Sequence, residues 1–64
     1  MAINESAENY LETIYILSKT RPVVRSVDIA EELGYKKSSV SVAMKHLREN
    51  NHITVTKEGF IYLT

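Results

Sequence analysis

A mainly helical α+β fold, three helices with a small antiparallel sheet, is predicted by three observations on this 64-residue chain. First, Ile29, Ala30 and Leu33 form one apolar stripe and Val40, Ala43, Met44 and Leu47 a second at i, i+3, i+4, i+7 spacing, so residues 26–50 read as two helices. Second, Gly34 stands between them, where a residue without a Cβ takes the left-handed conformation that ends a helix at no steric cost. Third, His52–Thr56 and Phe60–Thr64 read as extended runs flanking Lys57-Glu58-Gly59, which supplies the glycine a short hairpin turn needs. Helix, tight turn, helix and hairpin together make a winged helix-turn-helix.

In chain order, residues 5–19 form the first helix, with Asn4 or Ser6 as its N-cap and Glu5 and Glu8 in the first turn, where the helix dipole favours acids. Ala7, Tyr10, Leu11, Ile14 and Leu17 keep helical spacing, whereas Ile16 falls off that stripe and is expected to contact a subunit or a further domain. Pro22 biases Arg21 away from helical backbone and ends the helix. Val23-Val24-Arg25 is predicted to be a short strand, and Ser26 to cap the second helix, residues 26–33, with Asp28 in its first turn. The small Ala30 leaves room for the third helix, residues 37–50, to cross closely. Residues 52–64 complete the wing, so the predicted order is helix, strand, helix, helix, strand, strand.

The third helix carries the chemistry. At about 100° per residue, Ser38, Ser41, Val42, Lys45 and Glu49 share the side opposite its apolar stripe, and Lys36 and Lys37 stand at its start. Hydroxyls hydrogen-bond phosphates or base edges, a valine methyl fits a thymine methyl, and lysines neutralise phosphates. Near its start an ordinary solvated helix would carry Glu/Lys pairs instead of these hydroxyls and the valine. These residues therefore predict a reader of double-stranded DNA.

Composition bounds the alternatives. Hydrophobic residues at 44% and charged residues at 25% are those of a folded globular chain. The absence of cysteine excludes a disulfide scaffold, a thiolate zinc site and a thiol nucleophile. No apolar run approaches membrane-spanning length, and MAINESAENY has neither the basic nor the apolar region of a secretion signal, so a cytoplasmic protein without membrane contact is expected. Eight basic residues balance eight acidic ones, which by itself disfavours a nucleic-acid partner. The distribution reverses that inference: Lys36, Lys37, Lys45 and Arg48 occur with no acid between them, while Glu5, Glu8, Glu12, Asp28, Glu31 and Glu32 lie in the first two helices.

Several of these segments also resemble a known family. Ala7-Glu8-Asn9-Tyr10-Leu11-Glu12-Thr13-Ile14-Tyr15, Val27-Asp28-Ile29-Ala30-Glu31-Glu32-Leu33-Gly34, Ser38-Ser39-Val40-Ser41, Lys45-His46-Leu47 and the wing to Leu63-Thr64 are similar to the N-terminal domain of the diphtheria-toxin-repressor and manganese-transport-regulator family of metal-dependent repressors. The first of these segments is the specific one, because most other winged helices lack it. The resemblance implies a homodimeric transcriptional repressor, activated by Mn(II) or Fe(II), that binds a palindromic operator at promoters of metal-uptake genes. It also implies a helical metal-binding and dimerisation domain beyond Thr64. Two metal-ligand positions of the family fall on Asn9 and Glu12, with Asn9 replacing the usual Asp or Met by an uncharged donor. Without the other ligands, no tight metal binding by these 64 residues is expected. The family's DNA-contacting positions fall on Lys37, Ser38, Ser39, Ser41 and Val42. Prolines common at the start of that helix are replaced by Lys37 and Ser38, which adds positive charge.

Each assignment has a plainer counterpart. Lys36 and Lys37 are either a solvated pair or phosphate contacts, and inside a helix-turn-helix the second reading is favoured. Ser39 chiefly caps its helix, leaving Ser38 and Ser41 as the base-edge or phosphate candidates. Lys57 is a solubilising turn residue or a phosphate contact from the wing, and Arg25 is a weaker candidate of the same kind. Tyr10, Tyr15 and Tyr62 read as core or interface aromatics, with Tyr35 partly exposed in the turn. His46 complements the helix dipole, His52 begins a strand, and neither has a partner at metal spacing. A winged-helix protein-interaction module and a metal-independent regulator are the competing functions. An enzyme is not expected, since no phosphate loop or acid–base pair is present.

Overall fold

The computed structural model describes residues 5–64, with side chains from Ala7 onward. Its elements are α1 (Glu5–Thr20), α2 (Ser26–Leu33), α3 (Lys37–Glu49), β1 (Ile53–Val55) and β2 (Ile61–Leu63). The two strands pair antiparallel, with Ile53 opposite Leu63, Thr54 opposite Tyr62 and Val55 opposite Ile61. This mainly helical arrangement is a winged helix-turn-helix.

In α1, Tyr10, Ile14 and Leu17 are buried along one stripe, with Ala7 and Leu11 half-buried beside them. The backbone N–H of Arg21 makes a last helical bond to the Leu17 carbonyl at 3.0 Å, after which Pro22 has no N–H to donate. The candidate cap Asn4 and the side chains of Glu5 and Ser6 lie outside the described residues. Ile16, off the stripe, is exposed, and so are Tyr15 and Tyr62. Of the three tyrosines read as core or interface aromatics, only Tyr10 joins the core.

The segment between α1 and α2 corrects one expectation. Val23-Val24-Arg25 is not a strand, and among the described residues the sheet has two strands rather than three. A single bond remains, from the Ile61 N–H to the Val24 carbonyl at 2.8 Å, with the Val24 side chain buried. The reason is length. Pro22 offers no donor and Arg25 already serves as the residue that begins α2, so too few residues remain for a ladder.

The start of α2 is a second correction. Its N-cap is Arg25, extended at φ −124° and ψ 166°, and Ser26 is the first residue inside the helix. The carboxylate of Asp28 reaches back to accept the Arg25 backbone N–H at 2.9 Å. At the other end Gly34 lies at φ 72°, and the N–H groups of Gly34 and Tyr35 both donate to the Ala30 carbonyl, at 2.8 and 3.1 Å. A Cβ on Gly34 would meet nothing within 4 Å, so glycine is needed there for backbone conformation alone. α3 closes in the same manner on a different residue. Asn51 takes φ 63°, and the N–H groups of Asn51 and His52 donate to the carbonyls of Arg48 and Leu47 at 3.0 and 2.9 Å, the pattern of a left-handed helix stop.

Ile14, Val24, Ile29, Val40 and Ile53 are the largest fully buried side chains, one each from α1, the segment after it, α2, α3 and β1. Every element thus contributes one anchor to a common centre, and Ile61 of β2 joins them. The hairpin turn closes through the Gly59 N–H to the Thr56 carbonyl and the Thr56 N–H to the Phe60 carbonyl, both at 2.9 Å, with Gly59 at φ 90°. The Thr64 hydroxyl donates to the Asn51 carbonyl at 2.9 Å, tying the end of β2 to the end of α3.

Candidate nucleic-acid interface

Burial of Val40, Met44 and Leu47 fixes which way α3 faces. Helical geometry then leaves Ser38, Ser41, Val42, Lys45 and Glu49 outward, and all five are exposed. Lys36, Lys37 and Ser39 are exposed at the start of the same helix. Seven of the eight candidate residues therefore share one continuous surface. Lys57 is also exposed but stands apart from them, in the turn of the wing.

The first turn of α3 is open. Lys36 is its N-cap, at φ −69° and ψ 140°, and no side chain caps the helix. Ser39 therefore does not act as the cap expected of it. Two residues beyond the N-terminal boundary, it is already inside the first turn, with its side chain exposed. No acid lies in that turn, so the backbone N–H groups and the two lysines present positive potential without internal compensation. Among the described residues, the ion pair that forms is Arg21–Asp28 at 3.4 Å. Lys36, Lys37, Lys45, Arg48 and Lys57 enter none.

Two grooves flank the outward face. On the α1 side an open groove of about 310 Å³ is lined by Ala7, Tyr10, Ser39, Val42 and His46, among others. On the other side a smaller one is lined by Ser26, Ser41, Met44, Lys45, Arg48 and Val55. This second groove joins the start of α2 to α3 and β1, and it brings two cations and two hydroxyls together. Arg48 and Ser26 were not among the sequence candidates. Arg48 was legible in principle, three residues after Lys45 and seven after Ser41 on one helix flank. Ser26 was not, because only the crossing of α2 over α3 places it there.

Arg25 is occupied differently. Its guanidinium lies 4.8 Å from the centre of the Phe60 ring, a cation–π contact that ties the start of α2 to the wing. Tyr35, half-exposed in the turn, meets Tyr10 edge-to-face at 6.0 Å between ring centres. Burial, with Tyr35 as a lesser contributor, raises the Tyr10 phenol above its ordinary range.

Asn9 and Glu12 are exposed on α1, three residues apart and so on one face. An amide oxygen and a carboxylate are oxygen donors suited to a hard divalent cation such as Mn(II). Two donors do not make its coordination shell. Among the described residues no group of three or more His, Asp or Glu side chains is placed to hold a metal ion. The fit is partial.

No helix among the described residues is long and apolar enough to cross a membrane. Comparison with curated proteins finds no match. The match that is found lies at the level of the family and covers residues 2–59, nearly the whole chain. Its description is iron dependent repressor, N-terminal DNA binding domain, and the chain belongs to that family.

Proposed function

We propose that this domain binds a palindromic operator by laying the first half of α3 in the major groove. Lys36, Lys37, Lys45 and Arg48 neutralise phosphates, while Ser38, Ser41 and Val42 meet base edges. Lys57 reaches the backbone from the wing. The observation that carries this reading is the open, acid-free first turn of α3, with exposed lysines that no carboxylate among the described residues pairs. An interaction module would be expected to present an apolar patch on this face, whereas it is hydroxyl and cationic with one valine.

The finer reading is a homodimeric repressor of metal-uptake genes, switched by Mn(II) or Fe(II). Asn9 and Glu12 would contribute two of the metal's oxygen donors, the remainder coming from a further domain. The exposed Tyr15 and Ile16 on α1 support a contact of that kind.

Fluorescence anisotropy with palindromic duplexes over a salt series tests the DNA reading. Affinity is expected to fall steeply with salt, and Lys37→Ala and Lys45→Ala are each expected to flatten the log–log slope by about 1 while weakening all sequences alike. An affinity unchanged between low and moderate salt would overturn it.

A further inference from the structure

We infer that Val42 reads the 5-methyl group of a thymine, making one position of the bound site a methyl requirement rather than a hydrogen-bond requirement. The inference rests on the DNA reading above and names what the apolar part of that face recognises.

Val42 is 58% exposed, the highest value among the exposed large hydrophobic side chains of the described residues. Neither the core nor local helix preference explains it. Val40, Met44 and Leu47 supply the buried stripe of α3, and valine is a poorer helix former than the Ala, Lys or Glu that a solvated position favours. Its neighbours one turn away on either side are Ser38, Ser39, Lys45 and His46, all exposed and polar. Val42 thus stands at the edge of the groove it lines with Ala7 and Tyr10, where that groove meets a cationic, hydroxyl-bearing surface.

A duplex is the partner to which both parts of such a surface are complementary. Its phosphates match the cations, and of the four bases in the major groove only thymine presents a methyl group. Valine offers that methyl two of its own and has no donor or acceptor with which to read anything else. β-Branching also holds the side chain in essentially one rotamer on a helix, so little freedom is lost on contact. Cytosine methylated at C5 presents the same methyl, and it is expected to substitute in part where unmodified cytosine does not.

The test uses the 64-residue chain and duplexes selected from a randomised pool. In the selected site each thymine is replaced singly by deoxyuridine, which deletes the methyl and leaves base pairing intact. At one position, or at its symmetry mate, affinity is expected to drop about fourfold, the effect of burying one methyl group. Val42→Ala, a substitution at an exposed helical site that keeps the fold, is expected to bind the thymine and deoxyuridine duplexes equally. At the same position cytosine is expected to bind worse than 5-methylcytosine. Uniform affinity across all deoxyuridine duplexes would overturn the proposal while leaving DNA binding intact. So would methyl sensitivity that survives in Val42→Ala. Failure to enrich any duplex would overturn both.

Discussion

α2 and α3 both begin after an extended residue, yet their first turns are completed in opposite ways. At α2 the Asp28 carboxylate accepts the Arg25 N–H at 2.9 Å and lies 3.4 Å from the Arg21 guanidinium, so its positive end is neutralised within the chain. At α3 no side-chain cap and no acid are present, and Lys36 and Lys37 add charge where the helix dipole is already positive. Stability alone would favour a carboxylate or hydroxyl cap there. One helix is finished as a support; the other is left incomplete toward an external anion.

The largest effect expected from disturbing this pair comes from beneath it. Ile29→Ala empties a fully buried position of α2 and should cost about 2–5 kcal/mol, comparable to the whole stability of a domain this size. Thermal unfolding followed by circular dichroism should show the transition lost or greatly lowered, and DNA binding should go with it.

Lys37→Glu separates the two properties by sign. An acid in the first turn of α3 should raise stability by roughly 0.3–1 kcal/mol through the dipole. Reversing a phosphate contact should meanwhile lower duplex affinity roughly tenfold or more at low salt. Unfolding curves and anisotropy on the same protein check both; a simultaneous fall in stability and affinity would mean that the lysine supports the helix.

Asp28→Ala is the converse. Losing the carboxylate that completes α2 should cost about 0.5–2 kcal/mol by chemical denaturation, while the salt slope of DNA binding stays unchanged.

The smallest effect concerns Tyr10, which packs against Tyr35 in the turn between the two helices. Its phenol is raised in the folded state, mainly by burial. The folded state thus holds the proton more tightly than the unfolded one. The resulting stability is fully present below the ordinary tyrosine range near pH 10 and is lost as pH rises through the folded value. Tyr10→Phe should remove this alkaline loss in a pH series of denaturation midpoints.

Period and punctuation made the fold legible. The apolar stripes of α1, α2 and α3 and the turn glycines Gly34 and Gly59 are short-range signals, and they sufficed for three helices and a hairpin. What the sequence hid depends on competition between neighbours. Ser26 is a favoured cap by type, but Asp28 three residues after Arg25 bonds the N–H of Arg25 and moves the boundary back by one. Val23-Val24 has strand composition, but the cap and Pro22 leave it no length. Asn51 in left-handed backbone is where a glycine would have signalled a stop. At the interface, the outward face of α3 followed from helical periodicity. The Ser26–Arg48 groove needed the crossing of three elements, which no spacing along one helix encodes.

A 1H–15N NMR titration of the chain with duplex DNA shows directly whether the open start of α3 is the binding surface. Shifts are expected to concentrate in residues 36–45 and at Arg48, with Tyr15 and Ile16 on α1 unmoved. Shifts centred on Tyr15 and Ile16, with α3 silent, would contradict this expectation.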